Sequence, residues 1–201
     1  EYFDVLSCGL SEWRLAFRAT ANVGTSVFDA YVDGTNVPAV VDPACKNTDW
    51  TQPCHSHYRN ADALDNWTNV KEVLLAVVDG GVVVKTARFD GQGSTFLDWL
   101  DKGRLLEASW ADLAGKASDF FSIAGDAHQF RRFFISQNSD ACAHASGWLV
   151  AVDAHKPTGC VWEKTQKFPI LKYSAGPVFA RWDCGRARDA DAFVVFVKYA
   201  K

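Results

Sequence analysis

EVLLAVVDGGVVVKTARF, running from Glu72 to Phe89, decides the fold. Two runs rich in β-branched residues flank Asp79-Gly80, a pair suited to the positive φ angles of a tight primed hairpin turn. The hairpin is the clearest unit, and the pattern around it is mostly of period two. Trp13, Leu15 and Phe17 alternate with Arg14 and Arg18, as in a half-buried strand. Ser26 to Val32 reads as a second strand, and FDGQGS at 89–94 as another turn. Strands resume at Arg132–Ser136, Gly147–Asp153, Phe168–Tyr173 and Ala192–Tyr199. Two helices are expected, Ser94–Asp101 and Ser109–Ala117, the second with Ser109 as N-cap and Asp112 in its first turn. Residues 36–60 carry Pro38, Pro43 and Pro53 and read as a long ordered loop. The fold class is therefore α+β, predominantly antiparallel β with one or two short helices, stabilised by disulfides. Residues 1–201 form a single domain, since no repeat, linker or low-complexity tract divides them.

Composition narrows the function classes. The chain has 201 residues, 48% hydrophobic and 22% charged, with a net charge of −3 and no basic run, so nucleic acid is not an expected partner. The longest wholly apolar run, Val73 to Val78, is far short of the roughly 20 residues that span a bilayer. The start at Glu1-Tyr2-Phe3, with no Met anywhere, reads as a processed mature product.

Six cysteines stand at positions 8, 45, 54, 142, 160 and 184 without a CxxC pair. A zinc ribbon needs two close pairs, so a disulfide framework and an oxidising, extracellular compartment follow. Reduced, buried thiols are the alternative. Fifteen connectivities exist. The expected one is Cys45–Cys54 across a polar loop, Cys142–Cys160 across a hairpin-sized segment, and Cys8–Cys184 tying the ends. Closing that last loop is worth about 4 to 5 kcal/mol in the chain-entropy picture. Asn66-Trp67-Thr68 is an acceptor triplet for an Asn-linked glycan, which agrees with secretion.

Candidate chemistry is sparse. His55-x-His57 on an extended segment could present two imidazoles to a metal, with Asp62, Asp65, His128, His144 or His155 as further ligands; surface histidines beside a disulfide are the alternative. Asn138-Ser139-Asp140 could supply oxygen ligands to calcium, as could Asp183, Asp189 and Asp191, or the turn at Asp90-Gly91; turn-forming Asx residues are the more common explanation for each taken singly. Of eight tryptophans, Trp13, Trp99, Trp110 and Trp148 sit in core-like patterns, while Trp50 and Trp67 sit in polar segments. Trp162, Trp182 and Tyr173 are either core or the walls of a ligand site. No nucleophile elbow, HExxH, P-loop or dinucleotide fingerprint appears, so a non-catalytic role is expected.

Trp13 to Arg18 (WRLAFR), FISQNSDAC ending at Cys142, GWLVAV from Gly147, and Cys160 together resemble fibrinogen-related domains. The match covers scattered pieces, about a third of the chain, and the pattern is also similar to secreted domains of marine invertebrates. The family's adjacent tryptophan pair is Trp148-Leu149 here, and its acidic calcium motif is Asn138-Ser139-Asp140. The resemblance implies a secreted, lectin-like recognition module. Calcium would fall near Asp140, and the ligand pocket near His144, Trp148 and Trp162. Three readings follow: a recognition module for carbohydrate, a carrier of a small apolar ligand or pigment in an aromatic-lined cavity, and an extracellular matrix component or secreted enzyme. Homo-oligomerisation is compatible with each.

Overall fold

In the computed structural model, which describes residues 12–116 and 118–201, the described residues form twelve strands. They are β1 (Trp13–Thr20), β2 (Tyr58–Arg59), β3 (Val70–Asp79), β4 (Val82–Asp90), β5 (Leu105–Ala108), β6 (Phe120–Ser122), β7 (Arg131–Asn138), β8 (Ser146–Val152), β9 (Ile170–Ser174), β10 (Ala180–Arg181), β11 (Ala187–Asp189) and β12 (Ala192–Tyr199). The hairpin is β3–β4. Its turn is one residue later than the sequence suggests: Asp79 pairs with Val82, and Gly80 and Gly81 take φ of 63° and 76°. Two consecutive positive φ angles define the primed turn whose twist matches the strands.

Two antiparallel sheets form. One runs β2-β1-β12-β3-β4-β5; the other runs β11-β9-β8-β7-β6, with β10 also paired to β8. The main core holds side chains of both sheets, including Phe17, Leu75, Phe89, Phe193 and Val195 from the first and Phe133, Leu149 and Leu171 from the second. The edge strands are short, between two and four residues, so little unpaired backbone is offered to another chain.

The central strands are buried on both faces, which explains the continuous apolar runs Val73–Val78 and Trp148–Val152. The outer face of the first sheet lies under a loop closed by a disulfide, and that of the second under aromatics from the segments that follow β8 and β10. Cys45–Cys54 closes the loop over the first sheet, where Trp50 packs edge-on against Phe196 of β12 at 6.3 Å. Cys142–Cys160 instead brackets β8, tying the segments on either side of that strand, and Trp162 and Trp182 meet at 5.7 Å in the outer cluster with Phe134 and Val150. Both pairings are those expected from spacing. Cys8 lies outside the described residues, so its pairing with Cys184 does too. A buried arginine stands beside each disulfide. Arg18 lies beneath Trp50, 5.5 Å from its ring, and donates to the Ala44 carbonyl. Arg131 stacks on Trp162 at 5.0 Å and makes a two-pronged ion pair with Glu163, both side chains buried.

Three expected elements are different. Ser26–Val32 is not a strand but the start of the helix Val27–Asp33. Ser26 caps it by accepting from Asp29 N, Gly34 ends it in the left-handed region, and the Asp153 carboxylate takes the N–H groups of Val27 and Phe28. The caps override the β-propensity of the valines. A second helix, Ala61–Leu64, is one turn capped by Asn60. Residues 94–101 are turns, not a helix: the Asp98 carboxylate accepts from Thr95 N, and one 3-10 turn follows at Lys102–Arg104. Residues 109–116 are also turns. Ser109 Oγ accepts from Thr86 N of β4, and Asp112 accepts from Trp148 Nε1 and Phe179 N. These side chains serve distant partners in place of a helix.

Candidate functional site

The residues expected to bind ligand divide between two faces of the second sheet. Trp148 and Tyr173 face the inter-sheet core. Trp148 is fully buried, with its indole N–H on Asp112; the Tyr173 hydroxyl donates to Asp79 Oδ2 at 2.7 Å. Burial beside that carboxylate raises the Tyr173 phenol well above its usual range. Trp182 and Trp162 lie on the outer face, their indole N–H groups buried without an acceptor among the described residues. His144 is exposed beside Asp183, whose carboxyl Arg181 holds below its ordinary value. The five residues therefore line no common cleft.

Asn138 and Asp140 form a tight turn in which Asn138 Oδ1 accepts from Asp140 N at 3.0 Å. Among the described residues no group of three His, Cys, Asp or Glu side chains converges as a metal would require. The HxH pair is split: His55 is exposed, whereas His57 is buried, accepting from Thr20 N at Nδ1 and pairing with the Thr25 carbonyl at Nε2. The expectation of two surface histidines is corrected for His57, whose ring nitrogens join β1 to the next loop.

A cleft of about 330 Å³ opens at the end of the first sheet where β3 begins and β12 ends. Its lining includes Trp67, Asn69, Gln92 and Ser94, with Gly91 and Gly93 between them. Local bonds fix each wall. Trp67 Nε1 donates to Ser94 Oγ at 3.1 Å, and that hydroxyl donates to the Gly91 carbonyl. Arg104 reaches the carbonyls of Asp90, Gln92 and Gly93 and clamps the turn after β4. Asn69 holds a φ of 56°, and its carbonyl accepts from Ala200 N beyond β12. Gly91 is required by contact: a Cβ there would stand 2.7 Å from Val70 Cγ1. Asn69 and Gln92 are exposed, and Trp67 is half-buried.

The lining contains no carboxylate, histidine, cysteine, lysine or arginine. It offers an aromatic ring and two amides, each with a carbonyl acceptor and an NH₂ donor. That set offers stacking area and hydrogen-bonding groups without a titratable side chain. Sequence reasoning noticed Trp67 as a tryptophan in a polar segment but missed Asn69, Gln92 and Ser94, which come from two turns far apart in the chain. No protein family, curated protein or solved structure matches this chain.

Proposed function

We propose that this is an extracellular, non-catalytic recognition module that binds neutral carbohydrate in the Trp67 cleft. The observation that carries the reading is the lining itself: the Trp67 indole beside two exposed amides, on hydrogen-bonded turns, with no titratable group. Sugars combine an apolar ring face with paired hydroxyls, and such a wall complements both. The resemblance to fibrinogen-related domains points to the same class. Secretion is supported by two disulfides and by Asn66, an exposed acceptor asparagine. The carrier reading is weaker, because Trp148 and Tyr173, two of the rings that would wall its cavity, are packed into the inter-sheet core.

A neutral glycan array, run with calcium and with chelator, tests this. Binding in either condition is expected, with a shift of tryptophan emission. Gln92→Ala, at an exposed position, should weaken the best hit about 5- to 10-fold, the loss of one or two hydrogen bonds. Silence in both conditions overturns the carbohydrate reading, and an unchanged affinity in Gln92→Ala removes it from this cleft. Dependence on calcium would revive the Asn138–Asp140 turn as a metal site.

A further inference from the structure

A second cleft, of about 440 Å³, lies at the opposite end of the first sheet. Thr20 at the end of β1 pairs with Ala192 at the start of β12, so the Asn22–Gly24 turn in this lining sits at one end of β12. Ala200, in the Trp67 cleft, follows the other end of that strand. An eight-residue strand places the two roughly 25 Å apart.

This lining differs in chemistry. The Phe168 and His155 rings stand 6.4 Å apart at 51°. Asn22, Gln166 and Lys167 surround them, and Lys167 is exposed and in no ion pair among the described residues. Asp153 is the one acid of the lining, and it is already occupied. Its oxygens accept from Ser26 Oγ, Val27 N and Phe28 N at 2.7, 2.7 and 3.1 Å, and Arg132 lies nearby to offset its charge. The donors left facing outward are an ammonium, an imidazole and two amides. The turn is held in place, since Asn22 N and Gly24 N donate to the carbonyls of Pro169 and Phe168. Asn22 itself sits at a φ of 62°, a conformation asparagine tolerates.

We propose that this cleft is a second binding site, selective for an acidic sugar. The ring of a uronate lies on Phe168, its carboxylate meets Lys167, and its hydroxyls meet Asn22 and Gln166. The inference uses none of the Trp67 lining and stands whether or not that cleft binds neutral glycan. With ligands at both ends, one chain bridges two glycans.

Trigalacturonate and its fully methyl-esterified form are titrated into the whole protein by calorimetry at low ionic strength. The acid should bind, and the ester about tenfold more weakly, because the charge-assisted contact is lost. Lys167→Gln, at an exposed position, should reproduce that loss, while Gln92→Ala leaves uronate affinity unchanged. Absence of binding at millimolar acid, equal affinity for acid and ester, or an unaffected Lys167→Gln overturns the proposal. Loss of uronate binding in Gln92→Ala, with Lys167→Gln unaffected, would overturn it while leaving the Trp67 cleft as the only site.

Discussion

His57 shows how much a single side chain contributes here. The Thr20 amide can only donate, so Nδ1 is the acceptor and Nε2 carries the proton given to the Thr25 carbonyl. The neutral tautomer is thus built into the fold. Burial lowers its basicity further, with the Thr25 bond a smaller opposing effect. The unfolded chain, with an ordinary histidine near pH 6.5, takes up the proton first. Stability from His57 is therefore complete above about pH 6.5 and is lost as pH falls from there toward the depressed folded value. Asp153 works in the opposite sense, because burial raises its carboxyl: its contribution is present at low pH and is lost as pH rises through the raised value. Urea unfolding of wild type and His57→Gln at pH 7.5 and pH 5 separates the two. The stability gap between them should narrow on acidification, and a constant gap would show that His57 does not titrate with folding. Gly147 is a second residue-scale constraint: a Cβ there would meet the Ile135 carbonyl at 2.4 Å and Trp182 Cζ2 at 2.7 Å. Gly147→Ala should cost about 1–3 kcal/mol by overpacking, read as a lowered urea midpoint. Neither role could be read from the chain, because HxH and GW look the same on a surface and in a core.

At the scale of elements, each disulfide lies beside a buried arginine that packs under a tryptophan: Arg18 with Trp50 near Cys45–Cys54, and Arg131 with Trp162 near Cys142–Cys160. The second is the stronger test, because Arg131 and Glu163 are nearly inaccessible and their pairing is bidentate. Glu163 Oε2 also accepts from Cys160 N, joining the ion pair to the disulfide. Glu163→Ala leaves a guanidinium buried and uncompensated, and should cost about 3–5 kcal/mol in thermal or urea unfolding. Cys142→Ser with Cys160→Ser opens a loop of 18 residues and should cost about 3 kcal/mol. A small effect of Glu163→Ala would mean that the disulfide, not the ion pair, carries the stability. The strands of this frame were legible, because long apolar runs such as Phe193–Val197 admit few other readings once turns bound them. The helix at Val27–Asp33 was not, because its decisive cap, Asp153, lies 126 residues from Val27. The turns at 109–116 escaped notice for the same reason, since Asp112 and Ser109 are committed to partners on other elements, whereas those at 94–101 follow from a local bond, Thr95 N to the Asp98 carboxylate.

The whole molecule is a sandwich with its two clefts at opposite ends of one central strand. Neither cleft is a contiguous motif. The first joins turns near residues 67–70, 91–94 and 200; the second joins 22–24, 153–155 and 166–168. Sequence reasoning placed the ligand residues on tryptophans of the C-terminal half, because large aromatics mark binding surfaces and cores alike. Here Trp148 and Trp182 went to cores, and turn residues at the strand ends were left to form the exposed lining. Placement at opposite ends has a measurable consequence. Sites roughly 25 Å apart, with no shared residue, should act independently. A Gln92→Ala, Lys167→Gln double variant should therefore show both losses of affinity, each equal to that of its single variant. Beads coated with the best neutral glycan should be cross-linked to beads coated with oligogalacturonate by the wild-type protein at concentrations where either single variant fails. Cross-linking of the two bead types that persists in both single variants would show that Gln92 and Lys167 do not carry the two binding activities, whereas clumping of uronate beads alone by Gln92→Ala would place bridging in association between copies of the chain, and sedimentation of the ligand-free protein would then show a dimer.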